Sequence, residues 1–155
     1  MDQMQHIDIA SRALKYARKS GAEEASIKLS TGNGFSVVSQ NQVIDLVEQF
    51  NDQSFSISVY IGKAIGSAST NDFSEEQIYA TIDKALSLSR LTEKDDCNGL
   101  AEKELMATEI KDLNLYQPSD LSIEKAKKMA LQCEAAAFEA NESIINSEGA
   151  TVGSY

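Results

Sequence analysis

The segment at residues 54–61 constrains the fold of this chain more than any other part of the sequence. Phe55, Ile57, Val59 and Ile61 occupy every second position, with serines and a tyrosine between them. Because successive side chains of a β-strand point to opposite faces, this period of two predicts a strand with one covered face. Such a strand also needs neighbouring strands to satisfy its backbone hydrogen-bonding groups.

Those neighbours are predicted on both sides of it in the sequence. Further strands are predicted at residues 25–31, 35–40, 43–50 and 64–69. The segment Gly32-Asn33-Gly34 predicts a tight turn between the first two, since glycine and asparagine tolerate positive φ. A second tight turn is expected near Asn41. The chain therefore predicts an antiparallel or mixed sheet of about five strands.

Two helices are predicted to cover the apolar face of this sheet. The first spans residues 2–20 and is followed by Gly21, which suits the left-handed position after a helix. The second begins after Ser74, a predicted N-cap that forms a capping box with Gln77, and runs to about residue 91. Both carry apolar side chains at helical spacing, namely Ile7, Ala10, Ala13, Leu14 and Ala17 in the first and Ile78, Ile82, Ala85 and Leu86 in the second.

A third helix at residues 122–140 and a strand beginning at Ile144 are predicted to start a second unit. The buried stripe of this helix is predicted to comprise Ala126, Met129, Ala130, Cys133 and Ala137. A charged, irregular segment at residues 92–117 precedes it, and Pro118 marks a break. We therefore predict an α+β fold with an N-terminal domain at residues 1–100 and the start of a second domain at residues 101–155. Because a strand begins so close to Tyr155, that second domain is expected to be truncated and the chain a fragment.

Net charge and cysteine usage limit the expected partners and compartment. The net charge of −10 repels phosphate backbones and anionic lipid surfaces, which argues against nucleic-acid and membrane partners. Cys97 and Cys133 fit no metal or redox spacing, and two unpaired thiols favour a reducing cytoplasm. Residues 1–11 lack the apolar run of a signal peptide, and no stretch approaches the length of a transmembrane helix.

The sequence contains no recognisable constellation for catalysis or metal binding. His6 is the only histidine, whereas a zinc peptidase site needs paired histidines on a helix and a further ligand. A serine or cysteine nucleophile would have to recruit the same histidine, which nothing in the sequence supports. We therefore predict no catalytic, cofactor-binding or metal-ligating residue within this chain.

Three polar clusters each have a functional and a structural interpretation. The glycine-rich segment 32–34 lacks the glycine pattern and lysine of a phosphate-binding loop, so a hairpin turn is favoured. Asp72, Glu75 and Glu76 could bind a cation, but acidic residues are common near a helix start, where they complement the dipole. The patch at residues 146–149 is interpreted as a turn or bulge, with recognition as the alternative.

A series of segments keeps a characteristic order and spacing along nearly the whole chain. They are Gly62-Lys63, Gly66-Ser67-Ala68-Ser69-Thr70-Asn71-Asp72, Phe73-Ser74-Glu75-Glu76, Ala85, Arg90, Gly99-Leu100-Ala101, Glu104-Leu105-Met106-Ala107, Asp112-Leu113-Asn114-Leu115-Tyr116, Pro118 and Ile145-Asn146-Ser147-Glu148-Gly149-Ala150. Together they resemble the TldD/PmbA metallopeptidase family, and within it the PmbA branch, also called TldE. One departure is the Asn41-Gln42 turn, where the family often has Asn-Gly.

The resemblance implies a longer protein with a C-terminal β-rich domain, of which this chain would be the N-terminal portion. TldD-type members carry a His-Glu-x-x-x-His zinc site, whereas PmbA/TldE-type members lack it and pair with TldD into a peptidase for unfolded peptides. The family is also labelled as peptide-maturation proteins and modulators of DNA gyrase. The implied role is thus a non-catalytic subunit of a cytoplasmic metallopeptidase, oligomeric at full length, with a TldD-type subunit and unfolded peptides as partners. Zinc is expected only in the TldD-type partner.

Two alternatives stay open at the level of sequence. One is a free-standing acidic protein-interaction module, which needs no further domain. The other is the N-terminal part of a catalytic TldD-type zinc peptidase, against which the PmbA-like segments at residues 66–72 and 99–107 argue. In the favoured interpretation, an exposed strand is expected to bind an extended peptide by adding it to the edge of the sheet.

Overall fold

The computed structural model describes residues 3–115 and 117–155. Its elements are α1 (Gln3–Lys19), β1 (Glu24–Gln40), β2 (Val43–Ile61), β3 (Ala64–Thr70), α2 (Glu75–Ser89), a 3₁₀ turn (Lys103–Leu105), α3 (Ile123–Ala140) and β4 (Ala150–Ser154). The strands are hydrogen-bonded in the order β3-β2-β1-β4, and the sheet is antiparallel. The predicted α+β class is confirmed, with four strands in the described chain against the predicted five or so.

The chain divides into two compact units, and the two long strands contribute to both. The first unit comprises the residues up to Thr31 together with Asp52–Ile110, and the second comprises Gly32–Asn51 and Lys111–Tyr155. The predicted domain division, 1–100 and 101–155, stays a prediction. None of the helices in the described ranges is long and apolar enough to span a membrane.

The core of the first unit lies between its strands and the two helices α1 and α2. Phe55, Ile57 and Val59 are buried on one face of β2, as the alternation of the sequence predicts. Ala13 and Ala17 from α1 and a row of apolar residues from α2, Ile78, Ile82, Ala85 and Leu86, pack against them. Burial of each large apolar side chain contributes roughly 1.5–3 kcal/mol. The two predicted covering helices are therefore confirmed.

Helix α2 begins where the sequence predicts, but its cap differs. Ser74 is the N-cap residue and has extended backbone angles, yet its side chain makes no capping hydrogen bond. Instead, the Ser74 N–H donates to Asp72 Oδ1 at 2.8 Å. The predicted capping box is thus wrong, and the Asp72 carboxylate instead holds the backbone of the N-cap residue itself.

The predicted turn at residues 32–34 is also wrong, because β1 continues through it as one strand. Neither Gly32 nor Gly34 has the positive φ that such a turn requires. A Cβ at Gly34 would overlap the carbonyl oxygen of Ser154 and the ring of Phe50. This glycine therefore allows β4 and the Phe50 side chain to lie close to β1. The turn predicted near Asn41 does form, with φ of 51° at Asn41 and 63° at Gln42.

The second unit packs helix α3 against its part of the sheet. Val37, Ala126 and Ala130 form its buried cluster. Strand β4 pairs with β1 from Phe35↔Ser154 to Ser39↔Ala150. The strand therefore starts at Ala150, six residues after the predicted start at Ile144.

Helix α3 buries a different stripe from the one predicted. Ala126 and Ala130 are buried as expected, whereas Met129, Cys133 and Ala137 are exposed. The next buried position is Glu134, which is only 2% exposed. The interval of four residues between Ala126, Ala130 and Glu134 defines one helix face. The prediction failed because it placed only apolar residues on the buried stripe.

We predict that Gly66→Ala destabilises the first unit. A Cβ at Gly66 would overlap the backbone of α2 at Ala85 O and Ser89 N, which cannot rotate away as a side chain would. The cost is expected to be about 3 kcal/mol, the upper part of the usual range for overpacking. Urea unfolding followed by circular dichroism measures it.

Gly32→Ala is the matched control, because a Cβ there meets no atom within 4 Å and φ is not positive. Its effect on the free energy of unfolding is expected to be small and, if anything, stabilising. Equal unfolding midpoints for the two variants would contradict the close packing of β3 on α2.

Candidate functional site

The first part of β2 forms a free edge in the second unit. Strand β3 pairs with β2 only from Phe55 to Ile61. Within the described chain, residues 43–51 therefore have a strand partner on one side, β1, and none on the other. We call residues 43–51 the free edge. Unpaired N–H and C=O groups along such an edge are a template for pairing with another extended chain.

The side chains of the free edge combine exposed apolar groups with acidic ones. Val43 is 64% exposed, and Leu46 and Val47 are 42% and 40% exposed. Asp45 and Glu48 are its only charged residues, and it contains no proline. Edge strands that avoid pairing usually carry charged side chains, proline or a bulge; the only charges here are acidic, so they disfavour an acidic partner strand and favour a basic one.

A groove lies beside the Asn51 end of the free edge. Its volume is about 440 Å³, and it is lined by Asn33, Gly34, Phe35, Gln49, Phe50 and Asn51. Three side-chain amides and two aromatic rings therefore surround it, without any charged group. This combination suits hydrogen bonding to a peptide backbone and packing of an apolar side chain.

A second groove, of about 380 Å³, shares Asn33, Gly34 and Phe35 with the first. Its other walls come from Leu115, Gln117, Pro118, Ser119, Leu121, Ser154 and Tyr155. The rings of Phe50 and Tyr155 stack with centroids 5.5 Å apart. The missing side chain of Gly34 leaves room for Phe50 and for the Ser154 backbone.

Glu134 fixes the hairpin turn at the other end of the free edge. Its two carboxylate oxygens accept hydrogen bonds from the backbone N–H groups of Asn41 and Gln42, both at 2.8 Å. The side-chain amide of Gln42 adds a third bond at 3.2 Å. A carboxylate from helix α3 thus satisfies both donors of a turn in the left-handed region, which carries no Asn-Gly pair to favour it.

The pKa of the Glu134 carboxyl group lies below its ordinary value. Burial acts to raise this pKa, but hydrogen bonds to the charged form outweigh burial. The donors are the backbone N–H of Gln42, the Ser147 hydroxyl, the backbone N–H of Asn41 and the Gln42 amide. Glu134 is therefore held as an anion by donors from the Asn41-Gln42 turn and from Ser147.

The polar clusters seen in the sequence have structural partners. Asp72 accepts the backbone N–H of Ser74, the N-cap residue of α2, and Glu75 forms an ion pair with Arg12. The rings of His6 and Phe73 meet edge to face, with their centroids 6.2 Å apart. Ser147, in the patch at residues 146–149, contributes to holding Glu134. These contacts favour the structural interpretation of each cluster.

The sequence predicts no catalytic, cofactor-binding or metal-ligating residue in this chain, and that stays a prediction. Within residues 3–115 and 117–155, no group of three or more His, Cys, Asp or Glu side chains is placed to hold a metal ion. Both cysteines are free and exposed. Sequence reasoning missed Glu134: helical spacing puts it on the face of the two buried alanines, but the partners that allow a carboxylate to be buried there, Asn41 and Gln42, are 93 and 92 residues away.

Comparison with known proteins identifies the family of this fold. Residues 25–89 match the family model described as PmbA/TldA metallopeptidase domain 1. The Metalloprotease PmbA homolog of Haemophilus influenzae is 44% identical over 145 residues, which are 94% of this chain and 32% of the relative. Metalloprotease PmbA of Escherichia coli O157:H7 is 34% identical over 96% of this chain and 33% of its own length.

Solved structures agree with the sequence comparison. A protein of Bacteroides thetaiotaomicron described as a modulator of DNA gyrase matches with a TM-score of 0.82 and 26% identity, over 99% of this chain and 34% of its own. TldE of Thermococcus kodakarensis shares the fold, with a TM-score of 0.68 and 14% identity, over 94% of this chain and 32% of its own.

These matches define an α+β segment of a metallopeptidase family. The chain belongs to the PmbA/TldD family, as its sequence resemblance indicates. It spans about a third of the length of the curated relatives that it matches.

We predict that Glu134→Gln destabilises the second unit near neutral pH. Glutamine keeps the shape but offers one acceptor oxygen, so its NH₂ group faces a backbone donor and one partly buried turn N–H loses its partner. Because the pKa of Glu134 is lowered by folding, its stabilisation is full above the ordinary value of 4.5 and is lost as pH falls through the lower folded value. The stability difference between the two proteins should therefore shrink as pH is lowered below 4.5.

Urea unfolding of both proteins across this pH range measures the effect. Glu139→Gln is the matched control, because Glu139 is exposed on the same helix. It should change stability little at any pH. A difference between wild type and Glu134→Gln that does not depend on pH would show that the carboxylate charge is not what holds the turn.

Proposed function

We propose that this chain is the N-terminal region of a non-catalytic PmbA/TldE-type subunit of a cytoplasmic metallopeptidase. The assembled enzyme would act on unfolded peptides in proteolysis or peptide maturation. The observation that carries this proposal is the 44% identity to a PmbA homolog across 94% of the chain. The PmbA-branch segments, such as Gly99-Leu100-Ala101 and Asp112-Leu113-Asn114, support the same assignment.

The role proposed for this chain is to bind and position substrate rather than to cleave it. Its sequence has one histidine, so it does not contain the His-Glu-x-x-x-His motif of a TldD-type zinc site. Zinc would be supplied by a TldD-type partner subunit. The free edge at residues 43–51 and the groove beside it offer backbone groups, amides and aromatic rings, which are the chemistry that binds an extended peptide.

The charge of the chain agrees with the proposed partners. A net charge of −10 favours a protein or peptide partner over nucleic acid or an anionic membrane. Two free thiols agree with a reducing compartment. The proposed full-length protein therefore works in the cytoplasm, as part of an oligomer with its TldD-type subunit.

We predict that the full-length protein copurifies with a TldD-type subunit from the same organism and contains no stoichiometric zinc when purified alone. Cleavage of an unfolded test peptide, followed by mass spectrometry, should require both subunits. A chelator should abolish cleavage by the pair, because a zinc ion held by the TldD-type subunit would supply the Lewis acid for peptide hydrolysis.

Each subunit alone and the same peptide in a folded, disulfide-closed form are the controls. Stoichiometric zinc in the isolated protein, together with cleavage without a partner, would identify a catalytic TldD-type member instead. A monomer that binds no TldD-type subunit would favour the free-standing interaction module.

A further inference from the structure

We propose that the free edge binds an extended peptide as an added antiparallel strand and selects apolar residues flanked by lysine or arginine. The proposal rests on the function proposed above and names the kind of peptide that this region would accept. It combines three observations: an unpaired strand edge, its acidic and apolar side chains, and the uncharged groove at its end.

The backbone of the free edge provides the affinity that does not depend on sequence. Residues 43–51 pair on one side only within the described chain, so alternate N–H and C=O groups on the other side point outwards. The sheet around them is antiparallel. A peptide added in the antiparallel direction extends the same hydrogen-bond pattern without changing the geometry of β2.

The side chains of residues 45–48 provide selectivity. This stretch runs Asp45, Leu46, Val47, Glu48, with the acidic residues at its ends and the apolar ones between them. Directly opposite side chains of paired strands interact, and opposite charges are favourable there. The complementary stretch of a bound strand is therefore basic, apolar, apolar, basic.

The groove provides a third contact. Its walls include Gln49, Phe50 and Asn51, at the end of the edge where an antiparallel peptide would begin. Because those walls are amides and aromatic rings, an aromatic or aliphatic residue fits there better than a charged one. The preferred peptide thus has an apolar residue two positions before the first lysine.

A second copy of this chain is a poorer occupant of the same edge. In a two-fold antiparallel pair, opposite residues share a sheet face, so pairing centred on Leu46 or Val47 places Asp45 and Glu48 opposite uncharged residues. A second copy therefore lacks the basic side chains that a peptide strand would place opposite these two carboxylates. The overall charge of −10 adds long-range repulsion between copies.

The experiment measures binding of fluorescent peptides to the full-length protein by anisotropy. The first peptide is Tyr-Thr-Lys-Val-Ile-Lys-Thr-Thr, and its partner replaces both lysines by glutamate. We expect the lysine peptide to bind about tenfold more tightly or better, because two favourable cross-strand pairs become two unfavourable ones. N-methylation of alternate residues on the pairing side should abolish binding of the lysine peptide, because it removes the backbone donors.

The double variant Asp45→Lys and Glu48→Lys tests the site itself. It should reverse the preference, so that the glutamate peptide binds more tightly than the lysine peptide. The double variant Glu139→Lys and Glu142→Lys is the matched control: it makes the same change in net charge at exposed positions outside the free edge and should keep the lysine preference. Circular dichroism checks that all variants fold.

Several outcomes would overturn the proposal. The first two are equal binding of both peptides by the wild type and binding of neither peptide. The third is a reversed preference in the control double variant as well as in the Asp45→Lys and Glu48→Lys variant. The fourth is binding of the N-methylated lysine peptide. A dimer that the Asp45→Lys and Glu48→Lys change abolishes would show that a second copy occupies the edge. These measurements need no TldD-type subunit, so failure of the peptide site and failure of the proposed assembly are separate results.

Discussion

The bonds between Glu134 and the Asn41-Gln42 turn are the interaction on which the second unit most depends. The turn joins two long strands, β1 and β2, that contribute to both compact units. Its two residues lie in the left-handed region without the glycine that usually makes this region accessible. A buried carboxylate from α3 accepts both turn N–H groups and so connects the helix to the hairpin. Local chain preference is replaced by a tertiary contact at this point.

The same hairpin explains why the second unit has a free edge. Strand β2 is longer than its partner β3, which covers only Phe55–Ile61. Its remaining part is held in extended form by β1 on one side and by the turn at its end, while the other side stays unpaired in the described chain. An ordered strand with unsatisfied backbone groups is preorganised for an incoming strand, since little further entropy is lost on pairing. The contact between Glu134 and the turn thus helps to hold the free edge, the proposed peptide-binding surface, in its extended form.

Two glycines within strands act by permitting close approach. Gly66 lies against the backbone of α2, and Gly34 lies against Ser154 and Phe50. Both positions are within strands and neither has a positive φ. Their roles are therefore invisible to turn rules, which led to the wrong prediction of a turn at residues 32–34. A glycine in the sequence can mark either a turn or a strand position where another segment approaches closely, and only the packing of that distant segment distinguishes the two.

The sequence by itself determined the α+β class, the covered face of β2, the N-cap residue of α2 and the family. These features depend on residues that are close in the chain, where the periods of two and 3.6 and the cap preferences act directly. Only the tertiary structure decided that β1 passes unbroken through residues 32–34, that Glu134 rather than Cys133 is buried, and that β4 begins at Ala150. Each of these depends on a partner far away in sequence, Ser154, Asn41 or Ser39. These distant partners satisfy the backbone donors and the buried carboxylate, and they set the close approach that requires glycine. No local sequence pattern identifies such partners.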